Sequence, residues 1–175
     1  MMIGETQDQT DKMLLYSEGF LNYVKGAEND QLFKTGTGML QKSPEGGNDT
    51  VGYGHKLTNE EIESGKVYGY DINSLNKNQA NTILIRDLEE KNKLLTNKLG
   101  TQYTELDPRR KQMLLDIQFN VRGGIDSFPK FTEAVLDNDT DTMQKEYKRY
   151  FKNKQDEYVE LARNKSFSSF FFDAE

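Results

Sequence analysis

One segment of twelve residues, Glu45–Lys56 (EGGNDTVGYGHK), restricts the fold of this chain more than any other part of the sequence. It holds four of the fourteen glycines and the single histidine of a 175-residue chain. Glycine adopts backbone conformations that other residues avoid, and Pro44 stands directly before the segment. Together with the β-branched residues nearby, this pattern predicts two or three short strands between residues 39 and 57.

Helical patterns dominate the rest of the chain. Thr58 and Glu61 form a capping box, and Asp107 before Pro108 is a second typical helix start. The first helix is expected to follow a disordered tail over residues 1–9 and to open at Thr10 or Asp11. The predicted helices cover about residues 10–27, 58–65, 74–99, 107–124 and 128–136, with one more from residue 139.

A small sheet in a mostly helical chain predicts the α+β class. We expect a single domain over residues 10–175. It would consist of a site-bearing lobe of about residues 10–75, a linking helix of about 76–99 and a helical lobe of about 100–175. The C-terminal stretch SFSSFFFDAE carries four phenylalanines, which we expect to pack back on the domain because an exposed patch of that size is a liability.

Composition excludes several kinds of site and partner. The chain has no cysteine and one histidine, so disulfides, thiolate metal sites and histidine clusters are ruled out. Composition leaves a carboxylate-only Mg²⁺ or Ca²⁺ site open, but no loop has the EF-hand spacing, and we expect neither a metal nor another cofactor. Its net charge of −6 argues against non-specific nucleic-acid binding, which needs a basic face. No apolar run reaches transmembrane length, so membrane insertion is not expected. The polar N-terminus lacks the apolar core of a signal peptide.

With no cysteine and one histidine, the catalytic groups that this composition favours are carboxylates and hydroxyls. Glycosidases work with such groups. One carboxyl group protonates the leaving oxygen, while a second carboxylate activates water or attacks directly. Glu18 and Glu28 are candidate acids in the C-terminal half of the first predicted helix. Glu45 and Asp49, which stands beside Thr50, are candidates in the glycine-rich segment. Taken singly, each is also explained as a solvated helix residue or as ordinary turn chemistry.

Asp87 falls on the apolar stripe of the long predicted helix, beside Ile83 and Leu88. A charge in that position is costly unless it is paired, and His55 is its natural partner. We therefore predict a buried His55–Asp87 ion pair with a structural role. A catalytic histidine is less consistent with the sequence, because no serine or cysteine stands in the context of a nucleophile.

The stretch T-V-G-Y-G-H-K-L at residues 50–57 resembles the T-[IV]-G-[YI]-G-H-x-L stretch of the phage-type lysozymes, glycoside hydrolase family 24. Members of that family are muramidases, which cut the sugar backbone of peptidoglycan. Weaker likenesses are LDPRR at 106–110, FNVRGG at 119–124 and FPKF at 128–131. The resemblance implies a lysozyme-like fold of two lobes and a peptidoglycan glycan strand as the partner.

The family's catalytic pattern is a glutamate, then an aspartate or cysteine, then a threonine. Carried over, it assigns Thr50 as the threonine and Glu28 as the general acid. Glu18 remains the alternative, because its E-G dipeptide imitates that of the family. Pro44 stands where the aspartate is expected, so Glu45 is the candidate second carboxylate. The resemblance further implies that the glycan lies on Gly52, Tyr53 and Gly54, and it places a histidine–aspartate pair at His55 and Asp87.

A phage context follows from the same resemblance. It implies synthesis in the host cell cytoplasm, with release by lysis or a pore or carriage in a phage particle, and action on the bacterial cell wall. A virion or delivery component would then be a further partner, and we expect a monomer. Two other classes remain open on this fold, a non-catalytic wall-binding module and a structural protein of the virion. A glycosidase acting on chitin-like polymers is an alternative within the enzyme class.

Overall fold

The structure, a computed structural model, describes residues 6–43 and 46–173. This part of the chain is mostly helical with small antiparallel sheets, which confirms the predicted α+β class. The helices are α1 (Gln7–Leu15), α2 (Glu18–Thr35), α3 (Asn59–Ser64), α4 (Lys77–Leu99), α5 (Thr101–Thr104), α6 (Pro108–Asn120), α7 (Pro129–Asp137), α8 (Thr140–Glu146) and α9 (Arg163–Phe171).

Three antiparallel sheets occur in the described residues, each built from very short strands. The predicted strands between residues 39 and 57 are confirmed as one sheet in the order β1-β2-β3. The other two sheets are two-stranded hairpins, β4 with β5 and β6 with β7, which the sequence did not indicate. The strands are β1 (Leu40–Gln41), β2 (Thr50–Val51), β3 (His55–Lys56), β4 (Lys66–Val67), β5 (Tyr70–Asp71), β6 (Tyr150–Lys152) and β7 (Tyr158–Glu160).

The chain divides into two compact units. The sheet unit covers Leu21–Glu90, and the helical unit covers the residues up to Phe20 together with those from Lys91 on. The lobe boundaries expected from the sequence, about 10–75 and 100–175 on either side of a linking helix, stay a prediction. Of the candidate site residues that the structure describes, all except Glu18 belong to the sheet unit.

The single helix predicted from Thr10 or Asp11 to about Ala27 is wrong. Thr6 caps α1 through a capping box with Gln9, so residues 6–9 form the start of a helix instead of a tail. The chain then leaves the helical conformation at Tyr16, and α2 begins at Glu18. Residues 1–5 of the predicted tail lie outside the described residues.

The other helix predictions hold closely. Thr58 and Glu61 form the expected capping box on α3, and Gly65 ends that helix in the left-handed conformation. Asp107 caps α6, which stops at Asn120, short of the predicted glycine pair. The helix predicted from residue 139 is α8, and the Tyr- and Lys-rich residues beyond it form the β6–β7 hairpin.

The core of the sheet unit fixes the glycine-rich hairpin on α4. Val51 of β2, Leu57 after β3, Val67 of β4 and Ile83 of α4 form one buried cluster. Each fully buried aliphatic side chain of this kind contributes about 1.5–3 kcal/mol relative to an exposed one. The sheet is therefore held by side-chain packing on its inner face, since two-residue strands offer few backbone hydrogen bonds.

The helical unit has an aromatic core and a buried charged cluster. Phe167 and Phe171 are each 2% exposed, which confirms that C-terminal phenylalanines pack into the core. Asp116 is fully buried and accepts hydrogen bonds from the guanidinium groups of Arg149 and Arg163. Burial alone raises the pKa of Asp116, but the two arginines outweigh it and hold the pKa below its ordinary value.

Candidate active site

A tight glycine turn joins β2 to β3. Thr50 pairs with Lys56, and Val51 pairs with His55, so Gly52, Tyr53 and Gly54 have to reverse the chain within three residues. Gly52 has a φ of +62° and Gly54 a φ of +99°, a region that other residues rarely adopt. The requirement for this turn explains why the sequence concentrates glycine here.

The three residues expected to contact the glycan differ in how accessible they are. Gly54 is half-buried, whereas Gly52 and Tyr53 are buried. The Tyr53 side chain lies in the interior, and burial raises the pKa of its hydroxyl. A direct contact of the Tyr53 ring with a glycan is therefore not supported, and the surface of the turn is the backbone around Gly54.

The carboxylate of Glu28 lies directly against this turn. A Cβ atom added to Gly54 would be 2.7 Å from Oε2 of Glu28, so the carboxylate occupies space that only glycine leaves open. Glu28 itself is half-buried. The structure thus brings together one of the two candidate acids and the glycine turn.

The other candidate acid has a different position. Glu18 is exposed and is the first residue of α2. It falls in the helical unit, whereas the glycine turn belongs to the sheet unit. Glu18 therefore opens a helix, in contrast to its predicted place in the C-terminal half of one.

Asn29 fixes the backbone that follows Glu28. Its backbone departs from helical geometry within α2, with φ −152° and ψ 77°. The buried side chain donates from Nδ2 to the carbonyl oxygens of Gly38 and Gly52, at 2.9 Å each. Its Oδ1 accepts the N–H of Leu32 at 3.1 Å, as a helix cap does. Asn29 thereby ties α2 to the two glycine segments on either side of β1.

Sequence reasoning missed this role and assigned residues 29–38 to a loop. The structure has a break at Asn29 and then continues α2 to Thr35, so that prediction is wrong for residues 30–35. The signal was present, because asparagine favours helix caps and stands here three residues before Leu32. The hydrogen bonds from Asn29 Nδ2 to Gly38 and Gly52 are tertiary contacts, which no pattern of neighbouring residues predicts.

His55 bridges two carboxylates in the sheet unit. Its Nδ1 lies 2.8 Å from Oδ2 of Asp87, and its Nε2 lies 3.0 Å from Oε2 of Glu61. Burial by itself lowers the pKa of His55, but the hydrogen bonds and charges of Asp87 and Glu61 outweigh it and raise the pKa to about 9. The ring is therefore a cation at neutral pH and donates from both nitrogens.

Glu61 and Tyr68 complete this network, and neither was expected from the sequence. Glu61 already accepts the N–H of Thr58 in the capping box of α3, which gives its side chain a second partner. Tyr68 donates its hydroxyl to Oδ1 of Asp87 at 2.7 Å. The network links β3, α3, the β4–β5 turn and α4, which is a structural arrangement.

The loop before β2 is held by its own side chains. Asp49 accepts the N–H of Ser43 at 3.1 Å, and Ser43 Oγ accepts the N–H of Gly47 at 3.3 Å. These side-chain to backbone hydrogen bonds are typical of turns, as expected of this composition. Thr50 is half-buried at the start of β2. Glu45, the predicted second carboxylate, lies outside the described residues.

Comparison with known families identifies the chain. A model of a family described as phage lysozyme matches residues 35–166, about three quarters of the sequence. This chain belongs to the phage lysozyme family. Neither the curated proteins nor the solved structures gave a significant match.

Membership of the phage lysozyme family supports a glycosidase that degrades bacterial cell wall. The region shared with the phage lysozymes includes Thr50, the glycine turn, His55 and Asp87, whereas Glu28 precedes it. Within the described residues, no group of carboxylates or histidine is arranged to hold a metal ion. The helices described are all too short or too polar to cross a membrane.

Proposed function

We propose that this member of the phage lysozyme family is a muramidase that cleaves the β-1,4 bond between N-acetylmuramic acid and N-acetylglucosamine. The observation that supports this most strongly is the packing of the Glu28 carboxylate on Gly54, within the TVGYGH segment of the matched region. The proposal places the scissile sugar against this carboxyl group and the backbone of the turn.

In the proposed mechanism, Glu28 donates a proton to the glycosidic oxygen as the bond to the sugar breaks. Thr50 and Glu45 position a water molecule on the opposite face of the ring, and Glu45 accepts its proton. Such an inverting reaction needs carboxyl groups roughly 6.5–9.5 Å apart, so that water fits between them. The role of Glu45 is inferred from the sequence alone, and the variant Glu45→Gln tests it directly.

The surrounding residues hold the acid and the turn in place. Asn29 fixes the chain next to Glu28, and the ion pairs of His55 with Asp87 and Glu61 hold β3 on α3 and α4. A catalytic group has to be positioned by its supporting contacts, because small displacements cost large factors in rate. We assign His55 and Asp87 to this supporting role.

The decisive test compares hydrolysis of purified peptidoglycan by the wild type and by the variants Glu28→Gln, Glu18→Gln and Glu45→Gln. Turbidity would report cell-wall degradation, and released reducing sugar would report bond cleavage. Loss of a general acid typically costs 10²–10⁴-fold in rate. We expect a loss of that size for Glu28→Gln, a comparable loss for Glu45→Gln and full activity for Glu18→Gln.

The products distinguish the rival functions. A new reducing end on N-acetylmuramic acid identifies a muramidase, and one on N-acetylglucosamine identifies a different specificity. Full activity of Glu28→Gln would overturn the assignment of the acid and return it to Glu18. Wild type that binds peptidoglycan without releasing sugar would indicate a wall-binding module. A stable complex with a virion component, without affinity for glycan, would indicate a structural protein.

The monomeric state, a delivery partner and carriage in a phage particle stay predictions. Size-exclusion chromatography with light scattering would test the first of these. Analysis of purified particles by mass spectrometry would test the other two.

A further inference from the structure

The β6–β7 hairpin of the helical unit exposes an unusual amount of aromatic surface. Tyr150 is 51% exposed, Phe151 46% and Tyr158 73%, all within a segment of nine residues. Soluble proteins protect exposed edge strands of this kind or use them, because they are open to further pairing. The hairpin is not explained by the proposed catalytic site, which lies in the sheet unit.

The register separates the two faces of the hairpin. Tyr150 lies opposite Glu160, and Lys152 lies opposite Tyr158, so these four side chains share one face. Phe151 is paired with Val159 on the other face, the one that also carries the buried Arg149. Tyr150 and Tyr158 are diagonal neighbours, about 7–8 Å apart in the usual geometry of a hairpin. We call the face with the two tyrosines the tyrosine face.

The tyrosine face is flanked by paired charges. Lys148 contacts Glu160 at 2.9 Å, and Lys152 contacts Asp156 at 3.1 Å. The Lys152 ammonium also lies 5.2 Å from the centre of the Tyr158 ring. The face therefore presents aromatic rings together with charged groups that can exchange hydrogen bonds with a polar ligand.

Side-chain hydrogen bonds hold the hairpin at both ends. At the turn, Asn153 Oδ1 accepts the N–H groups of Gln155 and Glu157 at 2.9 Å each. At the base, the backbone N–H and C=O of Arg149 are both bonded to the side chain of Asn164 at 2.8 Å. A preorganised surface loses little conformational entropy when it binds a ligand.

We infer that the tyrosine face binds a glycan strand of peptidoglycan, as a surface that adds to the proposed catalytic site and rests on the proposed function. The C–H faces of sugar rings stack on aromatic rings, and their hydroxyl groups bond to charged side chains at the ring edges. The diagonal placement of the two tyrosines lets one strand contact both rings. Lys152 and Glu160 are placed to bond its hydroxyl groups.

Charge favours a glycan over other occupants. Residues 148–160 carry four Lys or Arg and three Asp or Glu, whereas the whole chain has a net charge of −6. The hairpin is thus nearly neutral and does not repel an anionic wall polymer. Anionic membranes select strongly basic segments, and the core of a protein interface is depleted of charge, so neither occupant fits this face as well.

The test measures binding of the full chain to purified insoluble peptidoglycan by co-sedimentation. All proteins would carry Glu28→Gln, so that cleavage does not interfere. We expect the double variant Tyr150→Ser, Tyr158→Ser to bind about tenfold more weakly, since each exposed ring contributes part of the affinity. The double variant Tyr150→Phe, Tyr158→Phe keeps both rings and should bind within about twofold of the parent.

A matched control is Leu94→Ser, which removes a similarly exposed apolar side chain from α4. It should leave binding unchanged, and circular dichroism with urea unfolding should show that all variants fold. Unchanged binding of the double serine variant would overturn the inference, as would an equal loss in Leu94→Ser. Tighter binding to phosphatidylglycerol vesicles or to a protein than to peptidoglycan would also overturn it.

Failure of this inference is separable from failure of the proposed function. Cleavage is followed in proteins with Glu28 intact, on short soluble peptidoglycan fragments that occupy only the catalytic site. We expect the double serine variant to cleave these fragments at the wild-type rate. An inactive wild type would overturn the proposed function, and the binding comparison would still decide the role of the tyrosine face.

Discussion

At the scale of single residues, the candidate site depends on the absence of a side chain at Gly54. Its φ of +99° disfavours any side chain, and a Cβ atom added there would lie only 2.7 Å from Oε2 of Glu28. We expect Gly54→Ala to lose most of its activity, because Glu28 has to move. The free energy of unfolding should also fall by about 1–3 kcal/mol, the usual cost of a strained backbone. Reducing-sugar release and urea unfolding measure the two effects.

Gly65→Ala separates these two effects. Gly65 has a φ of +71° at the end of α3, and a Cβ atom there would meet nothing within 4 Å. The variant should lose a comparable part of its stability and keep its activity. Equal activity of Gly54→Ala and Gly65→Ala would contradict a specific role for the contact between Gly54 and Glu28.

A second residue-scale prediction concerns Asn29. Asn29→Asp keeps the size of the side chain but removes both Nδ2 donors and places a negative charge against two carbonyl oxygens. We expect kcat to fall more than KM changes, because the turn that orients Glu28 loosens. The free energy of unfolding should fall by about 1–3 kcal/mol, the cost of leaving buried groups unsatisfied.

Asn48→Asp is the matched control for Asn29→Asp. Asn48 Nδ2 likewise donates to a carbonyl oxygen, that of Leu57, and to Asn59 Oδ1. Losing these bonds should lower stability and leave kcat close to that of the wild type. The same loss of kcat in both variants would show that Asn29 acts only through general stability.

At the scale of elements, the bridge from β3 to α3 and α4 predicts a pH-dependent stability. The pKa of His55 is raised from about 6.5 to about 9, so its ion pairs with Asp87 and Glu61 stabilise the protein fully below pH 6.5. This contribution, at most about 3 kcal/mol, is lost as the pH rises through 9. Urea unfolding of the wild type and of His55→Gln at pH 6, 7.5 and 9 would measure it.

The expected result is a difference between the two proteins that shrinks steadily over this pH range. Other titrating groups are shared by both proteins, so their effects cancel in the comparison. A constant difference would mean that the pKa of His55 is the same in the folded and the unfolded protein. Tyr68 does not enter this window, because burial and Asp87 raise the pKa of its hydroxyl further.

The elements also show which parts of the fold had local signals. The helix starts at Thr58 and at Asp107-Pro108 could be predicted from the sequence, since the residues that cap a helix lie within about four positions of each other. The β6–β7 hairpin was not expected, because its Lys and Tyr residues suit a helix surface as well as a strand. Its base is fixed by Arg149 and Asn164, which are far apart in the sequence.

At the scale of the whole molecule, net charge predicts how activity responds to salt. The chain carries −6, and peptidoglycan is anionic, so the two repel each other at low ionic strength. Salt shortens the range of this repulsion to about 8 Å at 0.15 M. Because salt screens this repulsion, we expect kcat/KM on insoluble peptidoglycan to rise between about 10 mM and about 150 mM salt.

An uncharged chitin-type oligosaccharide is the control for the effect of salt. Binding or cleavage of that substrate should not depend on ionic strength over the same range. A decrease of kcat/KM with salt on peptidoglycan would instead indicate attraction by a local basic surface. That outcome would contradict the prediction from net charge.

Local sequence patterns were enough to predict the α+β class, the strands around the glycine turn, most helix starts and the family. These features are encoded in local spacing, such as glycines at Gly52 and Gly54 or a cap three residues before its partner. Tertiary structure decided the break at Tyr16, the support of Glu28 by Asn29, and the bridging of His55 to Glu61 as well as Asp87. Such contacts join residues up to tens of positions apart, so their energy depends on packing that no local pattern records.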